Sequence, residues 1–460
     1  MAISFLVKRK GSKAGRVFYA RRPELETAEE KLAWLGAGRA SAIAFEEMRP
    51  DVNGNWLNVT ANDFHTLLPL ASKASKSAAA VGNSKTVFQT FSLGVVTARD
   101  EWVYDFGKQN LERKVQYLID AYNADRIKQN KGGKCLGAAE LNETIKWSRA
   151  VKHDLAKGLE YAASDGSVVS SQYRPFVRQH LYFSRRLNEM TYQLGRLFPE
   201  PATRNHYIAC IAGNRLPFAV LANDCVPNYA IYSLDSAQCL PLYRYESGTR
   251  IDNITDWSLA EFRKHYQPGR GKNPQPITKQ AIFDYVYAVL HDPLYRETYA
   301  QNLKREFPRI PLYGDSETTF WQWAAWGKAL MALHIGYEQV APFALLRNDT
   351  PDEKVRASGQ SPKVILKADK ATGRIAIDSE TALAGVPPEA WAYTLGNRCA
   401  IDWVLDQYKE KKPKDPAIRE KFDTYRFKDH KEKLIDLLAR VTTVSVETVR
   451  IVAAMKAGPR

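Results

Sequence analysis

The chain has 460 residues, 45% of them hydrophobic and 11% aromatic, which is enough to bury a large core and excludes a disordered polymer. Its 66 lysines and arginines outnumber 51 aspartates and glutamates, a formal charge of +15 that makes nucleic acid the first candidate partner, with ordinary basic proteins sharing the same signal. Cys135, Cys210, Cys225, Cys239 and Cys399 form no Cys-x-x-Cys pair and have no histidine at zinc-finger spacing. This pattern gives neither a disulfide framework nor a zinc site, and it points to a reduced, cytoplasmic protein. The apolar run at residues 3–7 is too short for a signal core or a spanning helix, so no membrane role is expected. At about 150 residues per domain, two or three units are expected.

Residues 3–7 and 16–20 read as two short strands joined by Lys-Gly-Ser-Lys-Ala-Gly, a β-hairpin that needs a larger sheet to join. Residues 27–35 have helical character and stop at Gly36-Ala-Gly38. A turn follows at Asp51-Val-Asn-Gly-Asn-Trp56. Residues 73–86, small, polar and Lys-bearing, are the expected linker, which divides the chain into 1–72, the linker, and 87–460. Beyond it the pattern predicts a strand at 88–97 and a helix at 111–122 with Val115, Leu118, Ile119 and Tyr122 on one side. Short strands are expected at 207–212, 218–222 and 230–234, then three helices. The first spans 282–290, the second is capped by Asp292 with Pro293 at its first position, and the third is capped by Ser316. A Lys-rich β-ribbon with an exposed loop is expected over 350–373, and a helical pair at 428–440 and 445–456 closes the chain. The fold class is α+β, with helices and β-sheets mixed.

Catalytic motifs occur only as near misses. Gly36-Ala-Gly38-Arg-Ala-Ser41 imitates a nucleotide-binding loop but follows a helix rather than a strand. Asp292-Pro-Leu-Tyr295 imitates the corner with which adenine methyltransferases hold a flipped base, but Leu294 replaces the second proline and the flanks are helical. Gly269-Arg-Gly-Lys272 lacks the spacing and hydroxyl of a phosphate loop, and Pro50-Asp51 has no Glu-x-Lys partner for a nuclease. No catalytic, metal or cofactor-binding residue is expected in this chain.

Four segments do carry a pattern: Ser92-Leu-Gly-Val-Val-Thr-Ala-Arg-Asp-Glu-Trp-Val-Tyr104, Tyr173-Arg-Pro-Phe-Val-Arg-Gln-His-Leu-Tyr182, His291-Asp-Pro-Leu-Tyr-Arg-Glu-Thr-Tyr299 and Leu395-Gly-Asn-Arg-Cys-Ala-Ile-Asp-Trp-Val-Leu-Asp-Gln-Tyr408. In this order they resemble the carboxy-terminal part of the type ISP restriction-modification enzymes, from near Met1 to about Lys411. Those enzymes join a nuclease, a translocase, an adenine methyltransferase and a target-recognition domain in one chain. The resemblance implies that residues 1–72 are the end of a methyltransferase domain and 87–460 a target-recognition domain. It also implies that S-adenosylmethionine is bound by a methyltransferase part not encoded here, with double-stranded DNA as the partner. Alternatives are one half of a split N6-adenine DNA methyltransferase, or a basic RNA-binding or interaction protein.

DNA reading needs cations for phosphates and planar donors for base edges, where the arginine fork matches guanine O6 and N7. Arg174, Arg178, Arg185 and Arg186, interleaved with Tyr173, Phe176, Tyr182 and Phe183, form the densest basic-aromatic cluster. For Arg174 and Arg178 a buried ion pair is an equal reading. Lys128, Lys131 and Lys134 suit a phosphate-contacting loop, as do Arg270 and Lys272. Arg99 and Arg398 enter the DNA-binding set with the family-like motifs. Lys8, Arg9, Lys10, Lys13, Arg16, Arg21 and Arg22 put seven cations and no acid into the first 22 residues.

Overall fold

The computed structural model describes residues 4–7, 15–23, 26–50, 54, 56, 62–72, 85–132, 137, 140–211, 217–232, 236–267, 275–351, 353 and 357–460. The chain forms two compact units, Met1–Asp63 and Phe64–Arg460. The linker expected at 73–86 lies mostly outside the described residues.

In the small unit β1 (Val17–Tyr19) runs antiparallel to β2 (Glu46–Met48), with Phe18 opposite Glu47. The hairpin expected between residues 3–7 and 16–20 is therefore corrected, since residues 4–7 carry no strand. The strand pairs with a sequence-distant partner instead, and Arg16 Nε donates to Glu47 Oε1 at 2.7 Å beside the ladder. Helix α1 (Ala28–Ala37) starts on a capping box, in which Glu30 N–H donates to Thr27 Oγ1 at 3.2 Å and Thr27 N–H to Glu30 Oε2 at 2.7 Å. It ends at Gly38, so the glycine pair is a helix stop. No residue of α1 is buried, and Phe5, Leu6, Val7, Leu32 and Phe45 are all exposed.

The large unit begins with β3 (Leu68–Pro69), followed by β4 (Ser92–Leu93) and β5 (Tyr104–Asp105). The strand expected at 88–97 survives only as β4 with single bridges at Phe88, Val95 and Val96. At Gly94 a Cβ would stand 2.3 Å from the Asn228 carbonyl oxygen, and the chain there passes from one partner to the next. Helix α2 (Lys108–Gly132) and helix α3 (Arg149–Ala156) lead into the long hairpin of β6 (Gly166–Arg174) and β7 (Val177–Ser184). Strands β8 (Tyr207–Ile211), β9 (Val220–Asn223), β10 (Val226–Pro227) and β11 (Ala237–Pro241) follow. Of the strand expected at 230–234, residues 233 and 234 lie outside the described residues, and 229–232 turn and bend instead, with Ala230 N–H donating to the Asn228 side chain at 2.8 Å in place of a neighbouring strand.

Two four-stranded sheets result, ordered β4-β11-β8-β9 and β10-β6-β7-β5. Every residue of β8 is buried, and its side chains alternate between two cores. Tyr207, Ala209 and Ile211 enter one with Trp102, Tyr122 and Leu181, while Ile208 and Cys210 enter the other with Phe88, Phe283 and Trp323. The second core is helical, built by α4 (Asp256–Tyr266), α5 (Lys279–Val289), α6 (Pro293–Thr298) and α7 (Glu317–Ile335). Thr255, Thr278, Asp292 and Ser316 cap these four helices through their side chains, as expected for Asp292 and Ser316.

A third sheet of β12 (Leu346–Asp349), β13 (Val364–Asp369), β14 (Arg374–Asp378) and β15 (Thr381–Ala384) has the order β12-β15-β14-β13. Helix α8 (Ala400–Gln407) and helix α9 (Lys431–Lys456) complete the chain. The expected terminal helical pair is one continuous helix. Thr442, Ser445 and Thr448 return their hydroxyls to the carbonyls four residues back at 2.7–2.8 Å, and no glycine or proline interrupts the run.

Helices α5 and α7 cross so closely that a Cβ at Gly327 would stand 1.7 Å from the Asp284 carbonyl oxygen. Gly327→Val should cost about 3 kcal/mol or more, read as a lowered urea midpoint. Burial holds the Asp284 carboxyl up at about 6, opposed by Gln280 and Lys328. Because its folded value lies above the unfolded one, its contribution is fully present below about pH 4 and is lost as pH rises through about 6. Asp284→Asn should remove that decline from a melting-temperature series between about pH 4 and 7.

Candidate nucleic-acid interface

Three of the four motifs become tie points between distant parts of the large unit, and the fourth closes on itself. In the first, the backbone turns at Ala98, whose φ is +57°, and Arg99 lies in the interior at 2% exposure. One guanidinium nitrogen donates to the Ser148 hydroxyl, while Nε and Nη1 have no hydrogen-bond partner among the described residues. Burial pulls its pKa down to about 10, against the opposing pull of Tyr161 and Glu189. The DNA-contact reading of Arg99 is corrected: a cation so enclosed cannot reach a phosphate, and it fastens the motif to the start of α3. Asp100 accepts from the Thr97 hydroxyl and, at 3.0 Å, from the Tyr173 hydroxyl, so the first two motifs meet. Trp102 Nε1 donates to Asp415 Oδ2 at 2.8 Å. In the third motif Asp292 caps α6 and accepts from Arg460 at 2.7 Å and the Tyr313 hydroxyl at 2.6 Å, which confirms a helix start in place of a base-flipping corner. In the fourth, Trp403 Nε1 donates to the Leu395 carbonyl at 2.9 Å.

The arginine cluster divides. Arg178 donates to Glu338 at 2.7 Å, to Asp224 at 2.9 Å and to the Ile335 carbonyl at 3.1 Å, and its guanidinium lies 5.1 Å from the Tyr337 ring centre. It is a clasp between β7 and the end of α7, so its DNA-contact reading gives way to the ion-pair one. Arg174 donates to the Tyr173 carbonyl at 2.6 Å and Asn228 Oδ1 at 3.1 Å, half-buried. Arg186 pairs with Asp165 at 3.3 Å and keeps part of its surface, whereas Arg185 is exposed, its guanidinium against Gly195.

Lys128 and Lys131 lie on α2 and not in a loop, which corrects that expectation. Lys128 reaches the buried Asp125 at 2.9 Å, and Lys131 is exposed in the last turn. Lys134, Arg270 and Lys272 fall outside the described residues. Arg398 is 3.5 Å from Asp406 and 5.2 Å from the Trp403 ring centre. Burial would raise the Asp406 carboxyl, but Lys411, Lys409 and Arg398 around it hold it below its ordinary value.

Two exposed cations outside the expected set, Arg149 and Lys152, stand three apart on α3. A signal was present, since basic residues at helical spacing follow Ser148, a residue suited to capping. Arg149 has 86% of its side chain exposed and approaches Glu189 at 3.4 Å, a rim pair of small energetic weight. The block that carries these cations is interlocked. Gln129 of α2 donates to the Leu155 carbonyl of α3 at 2.7 Å, Tyr122 stacks on Tyr161 at 3.8 Å, and the Tyr161 hydroxyl donates to Asp154 at 2.8 Å. Beside it, a cleft of about 500 Å³ is lined by Asp165, Ser167, Ser184, Arg185, Thr203 and Arg204.

Among the described residues no cluster of three or more His, Cys, Asp or Glu could hold a metal, and no helix is long and apolar enough to cross a membrane. Cys210, Cys225, Cys239 and Cys399 are free and buried.

Residues 86–437 match the family model described as the type ISP C-terminal specificity domain. The chain is similar to a protein in the DrdV–DNA complex seen by cryo-electron microscopy, at 45% identity and a TM-score of 0.84 over 95% of this chain and 43% of that one. A nuclease-deletion mutant of the type ISP restriction-modification enzyme LlaGI, in complex with a DNA substrate mimic, matches at 26% identity and a TM-score of 0.79 over 98% of this chain and 39% of that one. The ATP-dependent type ISP enzyme LlaBIII, bound to DNA, shares the fold at 22% identity and a TM-score of 0.72, over 89% of this chain and 25% of its own. The chain thus spans less than half the length of these relatives. No curated protein matches it.

Arg178→Met should leave Asp224 and Glu338 without their shared cation and cost about 2–3 kcal/mol in urea unfolding. Arg185→Ala should change stability by less than about 0.5 kcal/mol in the same measurement.

Proposed function

Because this chain belongs to the type ISP C-terminal specificity family, we propose that it grips duplex DNA and reads a short asymmetric site for a restriction-modification methyltransferase. The observation that carries the reading is the separation of its cations. Arg99, Lys114 and Arg178 are used inside the fold, while Lys131, Arg149, Lys152 and Arg185 are exposed on or beside one interlocked block. Lysines there suit phosphates, and the forks of Arg149 and Arg185 suit guanine edges in the major groove. The DNA-complexed relatives support this reading.

In it, catalysis belongs to the methyltransferase part of the enzyme, with S-adenosylmethionine held there, and the translocase and nuclease act in cis or in trans. The exposed apolar side chains Phe5, Leu6, Val7, Leu32 and Phe45 of the small unit are available for docking on that methyltransferase sheet. Among the described residues, the buried free thiols of Cys210, Cys225, Cys239 and Cys399 suit a reducing, cytoplasmic setting.

A salt series with duplex DNA tests the proposal. The logarithm of the binding constant should fall linearly with the logarithm of salt concentration. Replacing Lys131, Arg149 and Arg185 together by alanine should lower the slope by about 2–3 while the melting curve stays in place. Binding that ignores salt, or stronger competition by single-stranded RNA than by duplex DNA, would remove the reading.

A further inference from the structure

Between the end of β7 and residue 194 the chain is packed, with Leu187 and Asn188 at 1% exposure and Leu194 at 0%. Besides the exposed Arg185, two large apolar side chains break this pattern: Met190 at 42% and Tyr192 at 40% exposure. They stand two residues apart on a segment pinned from both sides. Val96 N–H donates to the Met190 carbonyl at 2.9 Å and Met190 N–H returns to Val96 at 3.0 Å. Gln193 N–H donates to Ser92 Oγ at 3.2 Å, and Ser184 N–H to Asn188 Oδ1 at 2.9 Å. Tyr192 has a φ of +45° and the nearby Ala98 one of +57°, left-handed conformations that non-glycine residues adopt only where the surroundings impose them. The first family motif thus serves as the anvil for this tip, and Arg99 fastens the anvil from beneath.

Resting on the DNA-binding reading above, we propose that Met190 and Tyr192 form a rigid apolar tip that packs against bases at a distorted step of the DNA. Charge selects this occupant. Arg149, largely in solvent, pairs with Glu189, the residue before Met190, and the Arg185 guanidinium lies against Gly195, three residues beyond Tyr192, so an exposed arginine accompanies the segment at each end and suits a flanking phosphate. Two side chains are also too small an apolar area for a stable protein interface, whereas apolar and aromatic wedges between base steps are effective at this size. Such a tip reads the ease with which a step unstacks, so it discriminates sequences that no hydrogen bond touches. Pre-ordering by the Val96 bridge lets the tip meet DNA without first losing conformational freedom.

The test begins by selecting duplexes from a random pool with the wild-type chain and measuring the affinity ratio of selected to scrambled DNA. Met190→Ala with Tyr192→Ala should reduce that ratio about tenfold or more, with salt slope and melting temperature unchanged. Tyr192→Phe should keep it, because the ring and not the hydroxyl makes the contact. 2-Aminopurine placed along the selected site should change fluorescence at one or two adjacent positions with the wild type and not with the double variant. Unchanged selectivity in the double variant, a uniform 2-aminopurine response, or a change in its oligomeric state would overturn the tip while leaving DNA recognition standing. Failure of the wild type to select any duplex would overturn both.

Discussion

In β8 and β9 every residue is buried, so neither strand has a solvent face, and the rest of the large unit is arranged to keep it so. Alternate side chains of one strand supply two different cores, one shared with the β6–β7 hairpin and α2, the other with α5 and α7. Such a sheet has to finish its backbone hydrogen bonds inside the protein. Asn253 does this at the rim, donating to the Thr90 carbonyl at 2.9 Å and the Pro241 carbonyl at 2.7 Å while accepting from Thr90 N–H at 2.9 Å. Asn205 does the same, donating to the Tyr243 carbonyl at 2.8 Å and accepting from Tyr243 N–H at 3.2 Å.

Burial on this scale changes the meaning of the chain's positive charge. Lys114 is 4% exposed and spends its ammonium on Asp105 at 2.8 Å and on the carbonyls of Glu101 and Tyr104 at 2.8 and 2.7 Å. Arg99 and Arg178 are likewise committed to joining segments that are distant in sequence. A formal charge of +15 is therefore divided between cations that hold the fold and cations that can meet a polyanion. Solvent exposure separates the two classes, which is why the density of basic residues in sequence does not tell which of them reach the surface.

The motif residues have a related logic. Asp100, Trp102, Tyr173, Asp292 and Trp403 each carry a polar group into a largely apolar setting, where one missing partner is costly, so each has a specific one. Family-like segments of this kind record how the specificity fold is tied together. The exposed α3 cations and the Met190–Tyr192 tip lie outside the four segments and are held in place by them.

Sequence by itself determined the features whose causes are local: the caps of the helices starting at Pro293 and Glu317, the stop at Gly38, the apolar stripe of α5, the excess of positive charge and, through the four segments, the family. Fold class was legible because side-chain periodicity and turn chemistry act within a few residues. Only the tertiary structure decided that β1 pairs with β2, that residues 229–232 bend, that the 26 residues from Lys431 to Lys456 stay helical without a break, and that Arg99 and Arg178 are inside while Arg149 is outside. The three arginines have their partners 40 to 160 residues away, Glu189 for Arg149, Ser148 for Arg99 and Glu338 for Arg178, and burial is a property of where the chain comes together.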